Sequence, residues 1–114
     1  MALTVIWHNP RCSKSRQTLA LVQERGDVEI RAYLLNPPTA DEIRKALNLL
    51  GIPAADLLRQ GERMFKELGL ASETDENALI FTMAEDPILI ERPIVFANGK
   101  AAIGRPPEAV LDIL

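Results

Sequence analysis

The sequence contains one cysteine, one histidine, one tryptophan and one tyrosine in 114 residues. A single cysteine excludes an internal disulfide and any zinc site built on cysteines, and a single histidine excludes a multi-histidine metal centre. No apolar run approaches the roughly 20 residues of a membrane-spanning helix. No basic residue precedes the apolar opening Met1 to Trp7, which therefore does not read as a secretory leader. A lone thiol with no export signal points to the reducing cytoplasm. The glycine patterns of Walker and Rossmann nucleotide sites are missing. Cys12-Ser13-Lys14-Ser15 is C-x-x-S, not C-x-x-C, so the chain cannot close a dithiol–disulfide cycle alone and needs an outside thiol. Position 18 is threonine, which removes the arginine of a C-x5-R phosphatase loop.

The residues that are present describe a globular chain, 47% hydrophobic and 25% charged. The length predicts a single domain over residues 1–114, able to bury roughly two thirds of its unfolded surface. Thirteen basic residues against sixteen acidic ones give a net charge of −3, which argues against nucleic-acid binding. The acidic composition points to a monomer. The charges are unevenly placed. Residues 1–23 contain Arg11, Lys14 and Arg16 and no acid, so the remaining 91 residues, ten basic and sixteen acidic, carry −6. That basic cluster surrounds Cys12.

Leu3 to Trp7 reads as a buried strand ended by His8-Asn9-Pro10. A helix is predicted over 13–25, with Leu19, Ala20 and Val22 on its buried face and Gly26 as its stop. Val28, Ile30, Ala32 and Leu34 alternate as in a second strand, parallel to the first through a right-handed βαβ crossover. Thr39-Ala40-Asp41-Glu42 fits a capping box, and Ile43, Ala46, Leu47 and Leu50 follow at helical spacing to Gly51. Short helices are expected around Ala55 to Arg59 and over Arg63 to Leu68. Another is expected after a Thr74 cap, with Ala78, Leu79, Ile80 and Met83 inward and Pro87 at its end. Pro93 to Ala97, Asn98-Gly99 and Lys100 to Ile103 form a hairpin signal with a type I′ turn. Pro106-Pro107-Glu108 opens a last helix with Val110, Leu111 and Leu114 buried. The order βαβ, helical insert, ββα is an α/β, thioredoxin-like plan with a mixed sheet, in which a reactive cysteine sits between the first strand and first helix. Cys12 is at that position.

A cysteine is nucleophilic as its thiolate. The N-terminus of the 13–25 helix, the charges of Arg11, Lys14 and Arg16, and the hydroxyls of Ser13 and Ser15 all favour an anion there, and His8 stands four residues before it. The serines are equally compatible with simple helix caps, and the basic side chains with a solvated face. Arg59, Arg92 and Arg105 each lie at an element end. There their guanidiniums either converge on a tetrahedral oxyanion or remain ordinary surface arginines. Pro93, before the hairpin strand, is a candidate cis-proline.

The run His8-Asn9-Pro10-Arg11-Cys12-Ser13-Lys14-Ser15-Arg16 resembles the active-site loop of the glutaredoxin-linked arsenate reductases, the ArsC family. The likeness continues through Tyr33-Leu34, Pro37-Pro38-Thr39, Leu57-Leu58-Arg59, Glu67 to Leu70, Pro87 to Val95 and Gly104-Arg105-Pro106, with the YfgD-type proteins nearest. The resemblance implies that Cys12 attacks the arsenic of arsenate and that Arg59, Arg92 and Arg105 bind the oxyanion. It implies that His8 lowers the thiol pKa, that Ser15 bonds the sulfur, and that glutathione and glutaredoxin supply the electrons with no metal or bound cofactor. Ser13 and Lys14 stand where the resistance enzymes of that family usually carry glycine and threonine, which leaves the oxyanion open. Two other readings stay open at this point: a glutathione-linked thiol oxidoreductase acting on another substrate, and an Spx-like regulator that binds RNA polymerase.

Overall fold

The computed structural model describes residues 3–73 and 75–114. They fall into two compact units, one formed by Met1–Asn36 with Arg92–Leu114 and the other by Pro37–Glu91.

The first unit carries the sheet. Strand β1 (Thr4–Trp7) leads to helix α1 (Ser13–Arg25) and strand β2 (Val28–Arg31); β3 (Ile94–Ala97) and β4 (Lys100–Ile103) follow the second unit in sequence. The strand order is β2-β1-β3-β4. β1 runs parallel to β2 and antiparallel to β3, and β4 returns antiparallel to β3, so the sheet is mixed as expected. Alternation along β1 and β3 sorts the side chains. Ile6 opposes Val95 in register and both are fully buried. They join Val22 of α1 and Val110 in one core, against which Leu19, Val28, Ala102, Ile113 and Leu114 pack. Trp7 and Phe96 point the other way and meet with ring centroids 5.1 Å apart, tilted by 55°. Asn98 and Gly99 make the hairpin turn with φ of 55° and 74°, the left-handed values a type I′ turn needs.

Four expectations are corrected here. β2 stops at Arg31 instead of running to Leu34, because Leu35 and Asn36 both donate their N–H to Ala32 O at 2.9 Å and close a turn. Ile30, expected inside, is 47% exposed because β2 is an edge strand. Ala20 is exposed; the buried face of α1 is Ser15, Thr18 and Val22. The last helix is a 3-10 helix, Pro107–Ile113. Its period of three places Pro107, Val110 and Ile113 in one row, the first two buried and the third against the core.

The second unit is helical: α2 (Ala40–Leu50), α3 (Ala54–Leu57), α4 (Arg63–Glu67) and α5 (Glu76–Glu85), with single 3-10 turns at Leu70–Ser72 and Pro87–Leu89. The capping box forms as the sequence predicts, Glu42 N–H to Thr39 Oγ1 at 3.1 Å and Thr39 N–H to Glu42 Oε1 at 2.9 Å. Gly51 ends α2 with φ 70° and its N–H on Leu47 O. Asp75 caps α5 by accepting the Asn77 N–H; Thr74, the expected cap, lies outside the described residues. Glu76 Oε2 takes the Ala54 N–H and so ties the start of α3 to α5. Among the described residues no helix is long and apolar enough to cross a membrane.

Candidate active site

Cys12 is the N-cap residue of α1, with extended backbone (φ −96°, ψ 123°). The preceding loop is fixed by its own polar groups. Asn9 Oδ1 accepts the Arg11 N–H at 3.0 Å and Asn9 O accepts the Cys12 N–H at 3.0 Å, an Asx-type turn that delivers the cysteine to the helix end. The Cys12 carbonyl accepts the Arg16 N–H, which leaves the amides of the first turn aimed at the side chain. The sulfur is nearly covered, the residue being 9% exposed.

Two guanidiniums come from the far end of the sequence. Arg105 follows β4 and donates from Nη2 to the Cys12 sulfur at 3.7 Å, while its Nε donates to Arg92 O at 2.9 Å. Arg92 stands just before β3. The Arg92–Pro93 and Arg105–Pro106 peptide bonds are both cis.

These surroundings set the state of the thiol. Burial, the largest single influence, pushes the Cys12 pKa up. It is outweighed by the Ser15 backbone N–H, the Arg92 charge, the Lys14 backbone N–H and the Arg105 charge, so the thiol titrates below its ordinary value. The helix terminus therefore acts as predicted, whereas the source of positive charge is corrected. Arg11, Lys14 and Arg16 are exposed, Lys14 acts through its main chain, and Arg16 donates to Pro10 O at 2.8 Å. The local basic cluster is a solvated face, and the charges that reach the sulfur come from residues 92 and 105.

Ser15 bonds the sulfur as expected, but through its backbone N–H, while the part expected of His8 changes. The Ser15 hydroxyl is engaged in the loop. It is fully buried, accepts the Asn9 N–H at 3.0 Å and lies 2.7 Å from His8 Nδ1. The Ser15–His8 bond runs in either direction according to the histidine tautomer, since the hydroxyl keeps one donor and one acceptor position beside the Asn9 bond. Burial first, and the Arg16 charge second, hold the His8 pKa below its usual value, consistent with a neutral ring. His8 thus braces the loop through Ser15, and its backbone N–H is held by Arg31 O at 2.9 Å.

Arg59 belongs to the second unit. Its backbone N–H donates to Leu89 O, its Nη1 lies 3.3 Å from Ile88 O, and its Nη2 lies 3.4 Å from Glu62 Oε2. Among the described residues, no group of three or more His, Cys, Asp or Glu side chains gathers as a metal site.

Sequence reasoning passed over three contributors. Asn9 carried a usable signal, since asparagine two residues before a free amide makes Asx turns. Thr18 and Gly104 carried none, because their importance lies in a contact between distant segments. A Cβ placed on Gly104 would collide with Thr18 Oγ1, lie 2.8 Å from Pro93 Cγ and 3.0 Å from Thr18 Cγ2.

Comparison with known proteins places this geometry. The model of the ArsC family matches residues 7–113. YfgD, an uncharacterized protein of Escherichia coli (strain K12), is 54% identical over 112 residues, covering 96% of this chain and 94% of that protein. An arsenate reductase of Neisseria meningitidis (serogroup A) is 47% identical and covers 96% of both chains. Among solved structures, an arsenate reductase from Vibrio cholerae superposes with a TM-score of 0.94 at 46% identity, covering 97% of each chain.

Proposed function

The chain belongs to the ArsC family, and on that premise we propose that it is an arsenate reductase dependent on glutathione and glutaredoxin. The observation that carries the reading is the Cys12 sulfur itself: nearly buried, held below its ordinary pKa, and touched by Arg105. A soft nucleophile beside guanidiniums is suited to arsenic in a tetrahedral oxyanion.

The Cys12 thiolate attacks arsenic(V), forming a sulfur–arsenic bond while an arsenate oxygen leaves as water. Arg105 and Arg92 take up the negative charge of the oxygens. Arg59 enters this reading by family resemblance as a third oxyanion-binding arginine. Glutathione then bonds to arsenic, displacing a second oxygen as water. The glutaredoxin thiolate attacks the glutathione sulfur, and the electron pair of the sulfur–arsenic bond stays on arsenic, now arsenic(III). Water releases arsenite and regenerates the Cys12 thiol. The two electrons come from the two outside thiols, which end as a mixed disulfide. This scheme suits a chain with one cysteine, and it needs no metal or bound cofactor.

The family match crosses both units, which supports reading residues 1–114 as one working domain; the acidic composition and the lone thiol favour a monomer in the cytoplasm. Exposed Ser13 and Lys14 beside the thiol bear on which oxyanion fits best. The test is a coupled assay following arsenate-dependent consumption of reducing equivalents, with wild type and Cys12→Ser side by side. Wild-type turnover with none in Cys12→Ser supports the reading. Wild-type turnover no greater than that of glutathione and glutaredoxin alone overturns it.

A further inference from the structure

Arg105 reaches the sulfur only if the segment after β4 lies close against α1, and the structure contains a second contact that controls that approach. Gly104 is buried, and the room for a side chain is absent: a Cβ there would collide with Thr18 Oγ1 and crowd Pro93 Cγ at 2.8 Å. Its φ lies outside the left-handed region, so glycine is required for space and not for torsion. The Gly104 N–H donates to Pro93 O at 2.9 Å, which locks the two ends of the hairpin together at that point. Thr18 is fully buried and spends its hydroxyl on Lys14 O at 2.8 Å, so it offers the neighbouring segment a surface of fixed shape.

We propose that Gly104 is a positioning residue: by carrying no side chain it lets the segment after β4 seat against Thr18 and so holds the Arg105 guanidinium at the Cys12 sulfur. Thr18 lies six residues along α1 from Cys12, roughly 9 Å up the helix axis. Gly104 is bonded directly to Arg105. The pairs Thr18–Gly104 and Cys12–Arg105 therefore fasten the same two segments at two points, and a push at the first is felt at the second. Interiors pack too tightly to absorb an added methyl without movement. The inference rests on Cys12 being the reacting thiol, not on arsenate being its substrate.

The test is the rate of Cys12 alkylation by iodoacetamide against pH, which needs neither arsenate nor glutaredoxin, with circular dichroism to monitor folding. Gly104→Ala is expected to stay folded and, at a fixed pH below the thiol midpoint, to alkylate roughly threefold more slowly, as follows from moving a cation away from a thiolate. Thr18→Ala removes two of the three atoms that the new methyl meets and leaves Pro93 Cγ, so Thr18→Ala with Gly104→Ala is expected to recover part of the lost rate. In an Arg105→Ala background, Gly104→Ala is expected to change nothing further. A folded Gly104→Ala protein with the wild-type profile overturns the proposal. So does a slowing that persists in full without Arg105. If Gly104→Ala alone does not fold, the double variant decides: recovery of fold with a profile near that of wild type, or with a slowing that vanishes in the Arg105→Ala background, supports the proposal, and a double variant that stays unfolded or whose slowing persists there in full overturns it. A wild-type protein that alkylates like a free thiol would instead count against the catalytic reading of Cys12.

Discussion

Arg105 donates to the Cys12 sulfur at 3.7 Å across 93 residues of sequence, with its Nε held on Arg92 O. The second bond matters as much as the first. It fixes the guanidinium from behind, so the charge is positioned before any substrate arrives.

Replacing Arg105 with alanine removes both the charge and the donor. The Cys12 thiol should titrate higher, and kcat/KM for arsenate should fall about 100-fold, within the range for loss of one oxyanion donor. Arg105→Lys should recover only part of this, since an ammonium cannot hold Arg92 O and face the sulfur through a rigid fork. Steady-state kinetics and alkylation profiles of both variants check the split.

Ser15→Ala should act on stability more than on the thiol. It leaves the Asn9 N–H and His8 Nδ1 without their partner in a buried loop, at a cost of about 1–3 kcal/mol. The backbone N–H that favours the thiolate survives the change. Denaturant unfolding should therefore shift clearly, while the alkylation midpoint moves less than in Arg105→Ala.

His8 sets a pH dependence of folding. Its pKa is lowered in the folded state, first by burial and then by Arg16, so the unfolded chain binds the proton more readily. Stability is then greatest above the unfolded histidine pKa of about 6.5 and declines as pH falls through that value toward the folded pKa. Thermal melts from pH 7.5 to about pH 5 should show this fall. His8→Asn, which keeps a polar atom near the Nδ1 position, should flatten it.

Ile6 sits at the centre of the first unit's core, opposite Val95 and fully buried. Ile6→Ala should cost about 2–5 kcal/mol, and Ile6→Val about 0.5–1.5 kcal/mol. Chemical denaturation measures both, and a cost for Ile6→Ala no larger than that for Ile6→Val would sink this account of the core.

Much of this protein is written locally. The capping box at Thr39 and Glu42, the Asn98-Gly99 turn, and the thiol at the start of α1 each depend on neighbours within a few residues, and the sequence displays them. What it hides depends on distant segments. Nothing around Cys12 indicates that Arg92 and Arg105, not Arg11, Lys14 and Arg16, supply its positive charge. The Ser15 hydroxyl stands three residues from Cys12 in sequence, yet its partners are His8 Nδ1 and the Asn9 N–H. The closing 3-10 helix was legible only as apolar residues near a proline pair: Pro107, Val110 and Ile113 fit a period of three, but a run this short also fits an α-helix.

The first unit is made from the two ends of the chain, Met1–Asn36 and Arg92–Leu114, with the helical block translated between them. β1, which leads into the thiol loop, is internal to the sheet, yet its β3 neighbour is synthesised last but one among the strands. The sulfur therefore depends for its positive charge on a segment that lies beyond the whole helical block in sequence. Residues 1–36 alone would keep the amides of the helix terminus at the sulfur and lack both guanidiniums.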